Sequence, residues 1–104
     1  MAKYILGYHG GSMPETPEEG EKVTAAWNSW MQSLGSKLVD GGNPTMPGKT
    51  ISATGKVSDD GGANPLSGYS IIEAKDIDDA VKLAKGCPQL SSGGSIEVAE
   101  LIPM

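Results

Sequence analysis

Phenylalanine is absent from this chain, and cysteine and histidine occur once each. With three tyrosines and two tryptophans as its only aromatics, the 104-residue chain has material for one modest core. A core this thin gains from burial against a partner subunit. The lone Cys87 rules out an internal disulfide and fits a reducing cytosol. One cysteine and one histidine are also too few for a zinc site, so no metal or other cofactor is expected. Long apolar runs are missing as well, and no stretch approaches the ~20 residues that span a bilayer. Met1-Ala2-Lys3 leads directly into a strand-like run, with no signal-peptide core. Positive charge is scarce, at 8 basic against 13 acidic residues, for a formal net charge of -5. No basic patch exists to release counterions, which argues against nucleic acid or anionic membrane as a partner. The reading is one soluble cytoplasmic domain over residues 1–104.

What is present is a clear alternation of strand and helix signals. Residues 3–9 are rich in β-formers and stop at Gly10-Gly11. Thr16-Pro17-Glu18-Glu19 combines a capping threonine, a proline suited to the first helical position and a capping-box glutamate. Apolar residues at Val23, Ala26, Trp27, Trp30, Met31 and Leu34 then follow helical spacing, up to Gly35. Leu38-Val39 reads as a short strand ending at Asp40-Gly41-Gly42. Residues 50–58 alternate apolar and polar positions and read as one strand, followed by a turn at Asp59–Gly62 and a further strand over 66–74. Asp76 caps a second helix that Gly86 and Pro88 terminate, and 95–102 forms the last strand.

The order β-α-β-β-β-α-β predicts an α+β fold, a ferredoxin-like sandwich with an extra hairpin strand and both helices on one sheet face. Several strands carry apolar residues on both faces: Ile5 opposes Tyr4 and Leu6, and Ile71 opposes Ile72. Two helices cover only one face, so the other needs its own cover. A second copy of the same sheet is the economical one, which predicts a homodimer.

The opening KYILGYH, the TPEE helix start, LVDGGNP, LSGYSIIEAKDIDDAVKLAKGCP and the closing GGSIEVAELI together resemble the YCII-related proteins, in the branch named for a DGPF motif. The resemblance covers nearly the whole chain. It implies a dimeric α/β barrel made of two ferredoxin-like sheets face to face, and a family in which some members are enzymes with a His–Asp pair in a cleft. This chain departs from that pattern at three places. The DGPF motif is reduced to Asp60-Gly61 followed by Gly62-Ala63, the first helix has no histidine, and Cys87-Pro88 stands where the enzymatic relatives place an aspartate before proline. The family dyad therefore does not carry over.

Candidate site residues are few. His9, the only histidine, ends the first strand beside two glycines, a common setting for a general base. Asp40 ends the second strand and would orient His9 if those two strands lay side by side. Tyr8 and Tyr69 would offer hydroxyls to a polar ligand in a dimer cleft, and Asp60, what remains of the family motif, is the third ligand-binding candidate. Gly48-Lys49-Thr50 lacks the earlier glycine of a phosphate loop and leads into a strand, so it carries no nucleotide reading. Two function classes follow: a small-molecule-binding module with its cleft at the dimeric barrel, or a lyase- or isomerase-like enzyme using His9 as acid and base. The scarcity of convergent ionisable groups favours the first.

Overall fold

Local chemistry sets where each element begins. The computed structural model describes all 104 residues. Strand β1 runs from Ala2 to His9 and helix α1 from Pro17 to Leu34. Thr16 caps α1, its Oγ1 accepting the Glu19 N–H at 3.1 Å, while the Glu19 carboxylate accepts the Glu15 N–H at 2.9 Å. Gly35 ends the helix with φ 57°, and a single 3₁₀ turn leads to β2, Leu38–Asp40. Two-residue strands β3 (Thr50–Ile51) and β4 (Val57–Ser58) precede the long β5, Leu66–Ala74. Asp76 caps α2 (Ile77–Ala84) by accepting the Asp79 N–H at 2.8 Å. A short α3 (Pro88–Ser91), absent from the sequence expectation, separates α2 from β6, Ser95–Glu100.

Four strands form one antiparallel sheet in the order β2-β5-β1-β6, the arrangement of a ferredoxin-like fold. The sheet stays open and does not close into a barrel within the chain. Its helix-facing side holds Tyr4, Leu6, Ile72 and Ala74, all 1% exposed or less, packed with Trp30 and Leu34 of α1 and Ala80 and Ala84 of α2. Each fully buried Leu or Ile side chain here contributes about 1.5–3 kcal/mol. The other side carries Ile5, Tyr69 and Ile71, half-buried, and Val39, Ala99 and Leu101, exposed, with no element over them. The two-faced apolar pattern of the strands is thus a real property of the sheet.

The single strand expected over 50–58 is corrected to a hairpin that stands apart from the main sheet. Turn chemistry overrides the alternation. Gly55 adopts φ 87°, its N–H reaches Ser52 O at 2.9 Å, and the Ser52 N–H reaches Lys56 O at 2.8 Å. Ile51 and Val57 face each other across this small ladder and remain 72% and 54% exposed.

Candidate functional site

The side chains at the end of β1 diverge to opposite faces of the sheet, because successive strand residues alternate. Tyr8 lies on the helix-covered face. Its hydroxyl donates to Ser70 Oγ at 2.7 Å, and Ser70 Oγ donates in turn to the Gly41 carbonyl at 2.8 Å. This relay ties β1 to β5 and to the loop after β2. Burial pushes the Tyr8 phenol far above its ordinary range, with the bond to Ser70 opposing it only in part. Tyr8 is therefore a hydrogen-bonding hydroxyl at neutral pH and not a base. Burial likewise raises the Cys87 thiol, which lies beside Tyr8 at the start of α3, so Cys87 is no thiolate nucleophile.

His9 lies on the uncovered face. Nδ1 stands 3.0 Å from Asn64 O and 3.1 Å from Pro65 O, and Nε2 stands 3.2 Å from Glu97 Oε1. Backbone carbonyls only accept, so the hydrogen on Nδ1 is shared between these two oxygens and fixes the ring's orientation. The expected partnership with Asp40 is not formed. Strand β5 lies between β1 and β2, pairing His9 with Leu66 and Asp40 with Ile71, which puts the two residues well apart along the sheet. The Asp40 carboxylate instead accepts the Gly42 N–H at 2.8 Å and shapes the loop after β2. Gly42 has φ 71°, and any Cβ there would overlap the Tyr69 carbonyl, so this loop can hug β5 only with glycine. Asp60 plays the same local part in the hairpin loop, accepting the Gly62 N–H at 3.0 Å, and is exposed.

Between the inner side of α1, the sheet and the loops at 10–14 and 41–44 lies a wide cleft of about 1160 Å³, open to solvent. It exists because α1 reaches the sheet through its tryptophans. Trp30 is buried and donates its indole N–H to Leu83 O at 3.1 Å. Trp27, half-buried, packs edge-on against both Tyr8 and Trp30, with ring centroids 5.3 and 5.8 Å away. These bulky side chains act as spacers, and Val23 stays 41% exposed although it lies on the apolar stripe. Trp27, Trp30, Met31, Val23 and Tyr8 supply the apolar wall. Polar groups come from the loop Gly10–Ser12 and from Gln89 and Ser92 on the far side. Gln89 is buried and donates to His9 O at 3.1 Å and Gly10 O at 3.2 Å, fixing the loop after β1 against α3. Lys22 and Glu19 are the only charged residues of the lining. Strand β5 carries a bulge at its mouth: Tyr8 pairs with Gly68 and His9 with Leu66, leaving Ser67 as the extra residue with a buried, unpartnered Oγ.

Of the residues singled out from sequence, the structure brings Tyr8 alone to the space under α1, sends His9 and Tyr69 to the other sheet face and leaves Asp40 and Asp60 in turns. Gln89, Ser70 and Glu97 were not foreseen. Glu97 had a signal, since its alternation in β6 puts it on the face of His9. Gln89 had none, because the short helix that carries it follows a proline that reads as a stop. No three His, Cys, Asp or Glu side chains converge as a metal site would require. No helix is long and apolar enough to cross a membrane.

Comparison with known proteins agrees with this architecture. No curated protein matches the sequence. Among solved structures, the chain is similar to 5-chloro-2-hydroxyhydroquinone dehydrochlorinase (TftG) from Burkholderia phenoliruptrix AC1100, in complex with 2,5-dihydroxybenzoquinone. The TM-score is 0.55 at 17% identity, over 96% of this chain and 93% of that one. At that identity the likeness shows the shared ferredoxin-like fold. The family model of the YCII-related domain matches residues 4–104. Nearly the whole chain is thus accounted for, and the protein belongs to the YCII-related domain family.

Proposed function

We propose that this protein is a small-molecule-binding module, and that its ligand is a compact, planar, largely apolar molecule with one or two oxygen substituents. The observation that carries this reading is the cleft of about 1160 Å³ under α1, walled by Trp27, Trp30, Tyr8 and Met31. Its size exceeds the roughly 300–1,000 Å³ of ordinary small-ligand sites, so a compact ligand would fill only part of it, and its chemistry is theirs: aromatic walls with polar groups that fix orientation. A nearly uncharged lining disfavours phosphorylated or multiply charged ligands. The 2,5-dihydroxybenzoquinone bound by the structurally similar dehydrochlorinase shares the compact planar ring, but its four oxygens make it more polar than the ligand proposed for this cleft.

The functional unit in this proposal is a cytoplasmic homodimer, joined through the uncovered sheet faces into a two-sheet α/β barrel. The chain exposes 7267 Å², whereas a folded monomer of this mass exposes about 5,500 Å². The surplus of roughly 1,800 Å² exceeds the ~800 Å² that a standard interface takes from each partner. A second reading, a lyase- or isomerase-like enzyme, rests on His9, whose ring is held in place by two backbone carbonyls and faces Glu97 at 3.2 Å. Native mass spectrometry with 2,5-dihydroxybenzoquinone and 2-naphthol tests the main reading. It predicts a dimer that takes up one molecule of probe per chain, with uptake lost in Trp27→Ala and kept in His9→Ala. A folded protein that takes up neither probe would contradict it. Uptake lost in His9→Ala and kept in Trp27→Ala would favour the second reading.

A further inference from the structure

From Asn43 to Leu66 every residue is exposed, an unbroken stretch that no other part of the chain matches in length. It is nevertheless ordered by its own bonds. Ile51 and Val57 pair across β3 and β4, Lys49 Nζ meets Asp59 Oδ1 at 3.0 Å, and Thr50 Oγ1 donates to Asp60 O at 2.7 Å. An isolated two-stranded hairpin is marginally stable in water, so one with an apolar pair at its centre needs a surface to rest on. Its own sheet does not supply that surface. The root is pinned in place by His9 Nδ1 at the Asn64 and Pro65 carbonyls and by Thr45, whose N–H reaches Ser67 O at 3.1 Å and whose Oγ1 donates to Leu66 O at 2.9 Å. Folding the arm back across the sheet would break these bonds.

We propose that this hairpin is an intersubunit arm, which crosses to a second copy of the chain and buries Ile51 and Val57 against it. The proposal rests on the two-sheet dimer described above. Three observations select a second copy as the occupant. The root lies at His9, on the same uncovered sheet face that presents Ile5 and Ile71, so the arm leaves the molecule at the rim of that face. The surplus surface of roughly 1,800 Å² per chain is more than twice the ~800 Å² share of a standard interface, which leaves area for an arm beyond two facing sheets. The arm is also electrically neutral, with Lys49 and Lys56 against Asp59 and Asp60, in a chain of net charge -5. It can therefore approach another acidic copy without adding to their repulsion. A two-fold axis makes the exchange reciprocal, each arm clasping the other chain.

The test is a photo-crosslinker, Val57→p-benzoylphenylalanine, in the full-length protein, read beside sedimentation velocity. The proposal predicts a dimer that yields a covalent band of doubled mass after irradiation, with the linked peptide from the second chain. It also predicts that Ile51→Asp weakens the dimer tenfold or more while circular dichroism stays unchanged. A dimer that gives no doubled band, and that Ile51→Asp leaves intact, would overturn the arm and leave the two-sheet dimer standing. A monomer at micromolar concentration would overturn both.

Discussion

Removing the two ends of the Tyr8–Ser70–Gly41 relay should have unequal effects, and the inequality can be worked from the structure. Tyr8→Phe deletes a donor. Ser70 Oγ keeps its bond to Gly41 O, and the ring keeps its edge contact with Trp27 at 5.3 Å. The cost is one net hydrogen bond, about 1 kcal/mol. Ser70→Ala deletes the middle member. It leaves the buried Tyr8 hydroxyl without an acceptor and the Gly41 carbonyl without a donor. A buried unsatisfied hydroxyl costs about 1–3 kcal/mol by itself, so the total should reach about 2–3 kcal/mol. The double variant has no stranded hydroxyl and should cost less than the sum, giving a coupling of about 1 kcal/mol. Urea unfolding followed by tryptophan fluorescence measures all three. With a slope of about 1.5 kcal/mol/M, the midpoint falls by about 0.7 M for Tyr8→Phe and about 1.3–2 M for Ser70→Ala. Equal losses, or additive ones, would show that the relay is not the unit described.

Two further outcomes follow from the same geometry. Tyr8 and Cys87 both hold their protons more tightly when folded, because burial disfavours the charged forms. The unfolded chain releases those protons first, so stability is fully present below about pH 9, and it declines as pH rises through the unfolded-state values towards the folded ones. Denaturant midpoints measured from pH 7 to 11 should show this decline, and Tyr8→Phe should flatten its upper part above pH 10. Thr16→Ala removes the cap on α1 and should cost about 1 kcal/mol, a loss of roughly 4–8 °C in Tm by thermal circular dichroism. An unchanged Tm would mean that Glu19 and Pro17 start the helix without the threonine hydroxyl.

Much of this fold could be read from residue order because its local signals agree with one another. Thr16, Pro17 and Gly35 bracket α1, Asp76 starts α2, and the strands at 2–9 and 66–74 fall where β-formers meet glycine. The hairpin at 50–58 was misread because period-two alternation is identical in a continuous strand and in two short strands joined by a turn. Gly55 was the only residue that could have separated them. The cleft lay beyond sequence reasoning for a different reason. Trp27 and Trp30 sit at core spacing on α1, and nothing in spacing says that two large rings will hold a helix off its sheet instead of filling the gap. The proposed pairing of His9 with Asp40 failed on strand order, since a ferredoxin-like sheet inserts β5 between β1 and β2.

The central claim is that the space under α1 receives a small planar ligand, and chemical-shift mapping of the ¹⁵N-labelled protein with 2-naphthol tests it most directly. Saturable shifts at the Trp27 and Trp30 indole N–H groups and at the amides of Gly11, Ser12 and Ser92 are the predicted result. Shifts confined to Ile5, His9, Ile71 and Glu97 on the opposite sheet face, or none at millimolar probe, would contradict it.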